Sequence, residues 1–233
     1  LWQDEKDLWR DTIAKQPLAL PAYNNLGASL FDDGDFDGAL QAYSQALALY
    51  PNYELALIGR GQIYIETKQY EKALVDLSNG ITQNPNRPHS WNNRGIALRE
   101  LKRYDEALAD FNRIEEIAPY YLRTYINRAG IYMRQSKFES AIKDFDTYLS
   151  FEPNDGDMLQ GRGVAHYYLG NYQEARRDYD LSISLVSDRG DFHLNRSQVY
   201  ADMGNKQKAL DDALKSRELG HNVSEQYIRS LQQ

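Results

Sequence analysis

The sequence predicts an all-α solenoid of stacked antiparallel helix pairs, on three observations. Pro17, Pro51, Pro85, Pro119 and Pro153 lie 34 residues apart, a period at which a two-helix unit repeats along a stack. Laid out in rows of 34, the chain places alanine at the twentieth position of all six rows: Ala39, Ala73, Ala107, Ala141, Ala175 and Ala209. The eighth position is small throughout: Gly27, Gly61, Gly95, Ala129, Gly163 and Ser197. Small residues at two helical positions let two backbones cross closely, while large residues beside them fill the gaps.

Residues 1–16 set Trp9 at the twenty-fourth position and Pro17 at the thirty-second. They are expected to form the second helix of a half repeat (1–19) whose first helix is missing, as in an excised domain. Six repeats follow at 20–53, 54–87, 88–121, 122–155, 156–189 and 190–223, all within one solenoid over 1–233. Each first helix carries Tyr23, Leu57, Trp91, Tyr125, Leu159 or His193 at its fourth position. The second helices open on variants of Tyr104, Asp105, Glu106 and Ala107. The sixth repeat has Lys206, Ala213, Ser216 and His221 where the third has Tyr104, Phe111, Ile114 and Pro119, a smaller and more polar surface that suits a terminal repeat facing water. Gly220 to Ser224 then breaks the chain. Ser224 can N-cap a short helix that turns Tyr227, Ile228 and Leu231 toward the stack. Residues 224–233 read as a capping helix, or as the first helix of a seventh repeat cut short.

This pattern resembles the tetratricopeptide repeat family, with its W-x2-L-G-x2-Y, A-x3-F and terminal proline positions. Trp91 with Gly95, Ala107 with Phe111, and Pro119 make the third repeat the closest match. Departures cluster at the end, where Ser187 and His221 replace the proline and Lys206 the aromatic residue. The resemblance implies a right-handed superhelix with a concave groove lined by the first helices, and a non-catalytic protein-interaction scaffold that binds an extended peptide or partner protein there. A second resemblance rests on Trp2 to Trp9, Pro17 and Ala22 to Gly27, which are similar to the junction of tetratricopeptide arms in multi-spanning glycosyltransferase-like proteins. It implies the alternative of an extracytoplasmic accessory arm that presents polypeptide substrate to a membrane-bound enzyme. Localisation is cytoplasmic on the first reading and extracytoplasmic on the second.

Two columns bear on binding. The sixth position, which faces the groove in this family, reads Asn25, Gly59, Asn93, Asn127, Gly161 and Asn195. A carboxamide offers donor and acceptor to the backbone of an extended peptide. The four asparagines read either as such a ladder or as solvated amides. Neighbouring groove positions add Ile58, Asn92, Ile96, Arg99, Arg123, Ile126, Arg134 and Tyr167, a mixed apolar and basic channel in which Arg99, Arg123 and Arg134 look unpaired. A two-carboxylate clamp of the kind found in chaperone-binding relatives is not reproduced, since Asn24 and Ala28 stand where lysine and asparagine are required.

The seventh position reads Leu26, Arg60, Arg94, Arg128, Arg162 and Arg196, and the twenty-third Ala42, Asp76, Asp110, Asp144, Asp178 and Asp212. Where the arginine is missing, the aspartate of the same repeat is missing too. The covariation predicts an internal bidentate bridge in each repeat in place of a basic binding stripe.

Other chemistry finds little support. The 233-residue chain has formal charge −7 and pI about 5.2, which argues against a general nucleic-acid surface. It has no cysteine, so disulfides and thiolate metal sites are excluded. No apolar run approaches the ~18 residues needed to span a bilayer, so no membrane insertion of this domain is expected. His89, His166, His193 and His221 are dispersed without metal-ligand spacing, and no catalytic motif or cofactor fingerprint is present. Asp33 to Gly38 matches half of a calcium loop, but Ser44 stands where the bidentate glutamate belongs. Gly59-Arg60-Gly61 and Gly161-Arg162-Gly163 fall inside helices and read as packing glycines. The expectation is therefore of no enzyme activity, metal or cofactor, with a protein or peptide partner and with self-association as a further role.

Overall fold

The computed structural model describes residues 5–233. Trp2, Gln3 and Asp4, among the residues that carry the second resemblance, lie outside them. Among the described residues the chain is all-α. A first helix, α1 (Glu5–Lys15), precedes the pairs α2 (Leu20–Asp32) and α3 (Phe36–Leu49), α4 (Glu54–Glu66) and α5 (Tyr70–Gln83), and α6 (Pro88–Glu100) and α7 (Tyr104–Ile117). The pairs α8 (Arg123–Arg134) and α9 (Phe138–Phe151), α10 (Gly156–Tyr168) and α11 (Tyr172–Leu185), and α12 (Gly190–Asp202) and α13 (Lys206–Glu218) follow, with α14 (Glu225–Gln232) last. They fall into two compact units, Leu1–Thr124 and Tyr125–Gln233. In the first, each helix from α1 to α7 packs on the next, and α4 also meets α2 and α6. In the second, the same holds from α9 to α14, with α10 also meeting α12.

Every repeat turns between its helices in the same way. The fifteenth residue adopts the left-handed conformation that ends a helix, and the amide of the sixteenth donates to the carbonyl of the eleventh. Examples are Asp35 to Leu30 at 2.9 Å and Asn205 to Tyr200 at 2.8 Å. Three repeats use glycine there, Gly34, Gly170 and Gly204, with φ of 80°, 76° and 77°. The other three force a side chain into it: Lys68, Lys102 and Ser136, with φ of 59°, 60° and 56°. Asp35, the central acid of the half calcium loop, spends a carboxylate oxygen on the Gly38 amide at 2.9 Å as the N-cap of α3.

The core explains the repeated columns. All six alanines at the twentieth position are fully buried. A Cβ on Gly27, Gly61, Gly95 or Gly163 would lie 2.8, 2.8, 2.7 or 2.6 Å from Tyr43, Leu77, Phe111 or Tyr179, the twenty-fourth residue of the same repeat. The small residue on the first helix is thus the socket for the large one on the second. Repeat six inverts the sizes: Ser197 faces the side of α13 that carries Ala213, and its hydroxyl bonds the Ala209 carbonyl at 2.6 Å.

That hydroxyl also meets the Tyr227 hydroxyl at 2.9 Å, which anchors α14. Ser224 caps the helix through the Tyr227 amide, and Ile228 and Leu231 are 4% and 7% exposed. An eight-residue helix does not hold in water by itself. Burial of two large aliphatic side chains, worth roughly 1.5–3 kcal/mol each, holds this one.

Candidate functional site

The arginine column is internal scaffolding. In five repeats the guanidinium grips its own repeat's aspartate through Nε and Nη2. The distances are 2.6 and 2.8 Å for Arg60 to Asp76, 2.8 and 2.7 Å for Arg94 to Asp110, and 2.8 and 2.6 Å for Arg128 to Asp144. They are 2.9 and 2.6 Å for Arg162 to Asp178, and 2.7 Å twice for Arg196 to Asp212. The remaining nitrogen reaches back to the preceding repeat's second helix: Ser44 from Arg60, Ser78 from Arg94, Asp146 from Arg162 and Asp180 from Arg196. One side chain therefore ties three helices. In the first repeat Leu26 and Ala42 occupy the two positions as buried apolar residues. Burial raises the pKa of Asp110, outweighing the opposing pull of Arg94.

At Gly59 and Gly161 the asparagine column lies against the preceding repeat. Asn25, Asn93, Asn127 and Asn195 are all half-buried. Asn24 donates to the Asn25 oxygen at 3.4 Å, and Asn92 to the Asn93 oxygen at 3.3 Å. Asn92 is only 3% exposed, so it supports Asn93 from beneath. The amide nitrogens of Asn25 and Asn93, and the whole amide of Asn195, make no side-chain hydrogen bond among the described residues. The two missing rungs have a steric cause. A Cβ on Gly59 would fall 2.3 Å from Tyr43, and one on Gly161 2.8 Å from Phe145, rings of the preceding repeat.

The other groove candidates divide by unit. In the first, Ile58 and Ile96 are half-buried on α4 and α6; Ile58 packs toward Gly80 of α5, and Ile96 stands one turn from Asn93. Arg99, which looks unpaired in sequence, is bonded to its neighbour Glu100 at 2.9 Å. An adjacent carboxylate escapes a reading based on columns. Arg123 is exposed and makes no ion pair among the described residues. In the second unit Ile126 is half-buried, and Arg134 is exposed and likewise without an ion pair among the described residues. Tyr167 donates to Asp202 of the next repeat at 2.8 Å. Burial, reinforced by that bond, pushes its pKa up to about 12, so it stays a neutral donor at physiological pH.

Sequence reasoning missed two features. His193 is 7% exposed with Nδ1 3.0 Å from Asp212, sharing that carboxylate with Arg196. A polar residue in a column otherwise filled by Tyr, Trp and Leu was the available signal. The second is a cleft of about 610 Å³ between α5 and α7, floored by Leu98 and the Arg94–Asp110 pair, whose lining includes none of the four column asparagines.

Family models described as tetratricopeptide repeat match residues 30–92, 88–121, and 126–186 together with 161–219. The chain belongs to the tetratricopeptide repeat family. Solved structures resemble it over most of its length. PilF of Pseudomonas aeruginosa matches with TM-score 0.75 and 19% identity, over 98% of this chain and 99% of that one. A tetratricopeptide repeat protein from Parabacteroides merdae matches with TM-score 0.67 and 23% identity, over 97% and 89%. YrrB, described as a tetratricopeptide protein with an unusual peptide-binding site, matches with TM-score 0.65 and 19% identity, over 77% and 93%. At these identities the likeness is one of fold. No curated protein matches the chain in sequence. Among the described residues no helix is long and apolar enough to cross a membrane.

Proposed function

We propose that this tetratricopeptide chain is a non-catalytic protein-interaction scaffold that holds an extended peptide or partner segment against its first helices. One observation carries the reading. With the column arginines consumed by internal forks, the first helices of the first unit present carboxamides whose nitrogens are unengaged at Asn25 and Asn93. Half-buried Ile96 lies one turn from Asn93 on α6. An unengaged amide next to an apolar surface suits a peptide backbone flanked by apolar side chains. In the same unit the exposed Arg123 favours carboxylates on the ligand. The peptide-binding site named for YrrB lends support by analogy of fold.

The test is selection of a displayed random-peptide library on the purified chain, followed by calorimetry of the enriched peptide against Asn25→Ala, Asn93→Ala variants. The expected result is at least tenfold weaker binding with an unchanged melting temperature. Unchanged affinity refutes the groove reading, and a lowered melting temperature assigns the asparagines to the scaffold.

A further inference from the structure

The cleft between α5 and α7 is the space of a missing aromatic ring. Its lining comes from Leu74, Val75, Ser78 and Asn79 of the second repeat and from Arg94, Leu98, Arg103, Glu106, Ala109 and Asp110 of the third. By position in the repeat, Arg94 is seventh, Leu98 eleventh and Glu106 nineteenth. In the second repeat the same three positions hold Arg60, Tyr64 and Lys72. There the tyrosine ring lies between the two cations, with the guanidinium carbon 6.0 Å and the ammonium 5.5 Å from its centre. The sixth repeat repeats the arrangement with Arg196, Tyr200 and Lys208, at 5.8 and 5.4 Å. The third repeat has leucine in place of the tyrosine, and a cleft opens.

The first repeat supports this cause. Its eleventh residue is Leu30, and it too carries a cleft, of about 280 Å³, lined by Leu26, Leu30, Gly38 and Ala42 from the same positions. The larger cleft is the better receptor. Its floor Leu98 is 4% exposed, its wall Val75 is 62% exposed, and the Arg94–Asp110 fork lies at its base. Charge adds a preference. Where the filled repeats place lysine above the ring, the third places Glu106, held by Arg103 in a two-bond fork of 2.7 Å each. Glu106 with Arg103 and Asp110 with Arg94 leave the lining neutral where the filled repeats are cationic, so the chain's formal charge of −7 makes positive flanking residues the complement.

We propose that this cleft docks one aromatic side chain, of the tyrosine or phenylalanine class, presented by a basic segment of a partner protein. The ring takes the place that Tyr64 and Tyr200 occupy in their own repeats, packed on Leu98 and between Val75 and Ala109. The site lies on the second-helix side and stands independently of the asparagine groove.

The experiment uses p-cresol, the tyrosine side-chain analogue, titrated into chain carrying isotope-labelled leucine and valine methyls. An eight-heavy-atom ligand in a preformed apolar site is expected to bind with a Kd of about 1–10 mM. The expected result is saturable shifts at the methyls of Leu74, Val75 and Leu98. Leu98→Tyr, which copies the solution of the second and sixth repeats, should fill the cleft from within and weaken cresol binding at least tenfold. Leu30→Tyr should leave it unchanged. A short peptide with tyrosine between lysines should bind more tightly than one with tyrosine between glutamates, the difference shrinking in Glu106→Gln. Absence of shifts at these methyls up to about 30 mM overturns the proposal, as do shifts equal in Leu98→Tyr. Should Leu98→Tyr fail to fold, Val75→Lys at the exposed wall takes its place: undiminished cresol shifts in that variant overturn the proposal.

Discussion

Removing one partner of an Arg–Asp fork should cost far more than removing both, because the first repeat already runs on the apolar pair Leu26 and Ala42. The second repeat is the place to ask. The side chains of Arg60 and Asp76 are 24% and 5% exposed. Arg60→Leu strands a carboxylate that has almost no access to water, at a cost of about 3 kcal/mol. Asp76→Ala strands a guanidinium that keeps its weak Ser44 contact and partial hydration, and costs about 2 kcal/mol. Arg60→Leu with Asp76→Ala rebuilds the chemistry of the first repeat and should cost no more than about 1 kcal/mol. The coupling is therefore about 4 kcal/mol, at the upper end of what charge pairs give. Urea denaturation of the four variants, with hydrogen exchange read at α4 and α5 to isolate the local term, measures it. Single variants that each cost under about 0.5 kcal/mol and add in the double variant would refute the reasoning.

Four further outcomes are expected. Lys102→Gly relieves a left-handed lysine worth about 1–2 kcal/mol of strain against about 0.4–1 kcal/mol of unfolded-state entropy, so it should raise the melting temperature by about 2 °C; a decrease would contradict the strain. Gly163→Ala sets a methyl 2.6 Å from the Tyr179 ring and should destabilise by about 1–3 kcal/mol in urea titration, whereas Gly130→Ala, with nothing within 4 Å, should not. Tyr227→Phe removes the hydroxyl contact to Ser197 and should cost about 1 kcal/mol, read as faster hydrogen exchange in α14 with α12 little changed. Asp191 is held below the usual carboxylate range by Arg189, so its contribution is present above the unfolded pKa and lost as pH falls through the lowered folded one. The stability gap between wild type and Asp191→Asn should thus be about 0.2–1 kcal/mol at pH 7 and narrow only as pH falls below about 4 in paired urea titrations.

The fold was legible because each repeat repeats a steric bargain between two positions. Gly95 and Phe111 are 16 residues apart, and their sizes announce which helices cross and where. The forks were legible for the same reason: Leu26 without an aspartate partner at Ala42 amounts to a natural double substitution. The candidate site was less so. A column assigns a direction but not an occupancy, so neither the Asn92 bond beneath Asn93 nor the Glu100 bond to Arg99 follows from register. The absence of asparagine at Gly59 and Gly161 had a steric origin in the preceding repeat, at Tyr43 and Phe145, which only coordinates display. The α5–α7 cleft is a volume left empty. Its one sequence trace is leucine at 98 where Tyr64, Tyr132 and Tyr200 stand elsewhere.

The guanidiniums that tie three helices bear on how the array comes apart. In a linear array, stability is a sum of what each unit contributes alone and what it gains from its neighbour. Arg60, Arg94, Arg162 and Arg196 each enter both sums, through their own aspartate and through the preceding second helix. Losing one repeat's internal order therefore also loosens its grip on the one before, which lengthens the stretch that melts together. The first repeat, with Leu26 in this column, lacks the device, so α1 is joined to the array by packing and by the Lys6–Asp33 ion pair in place of a fork.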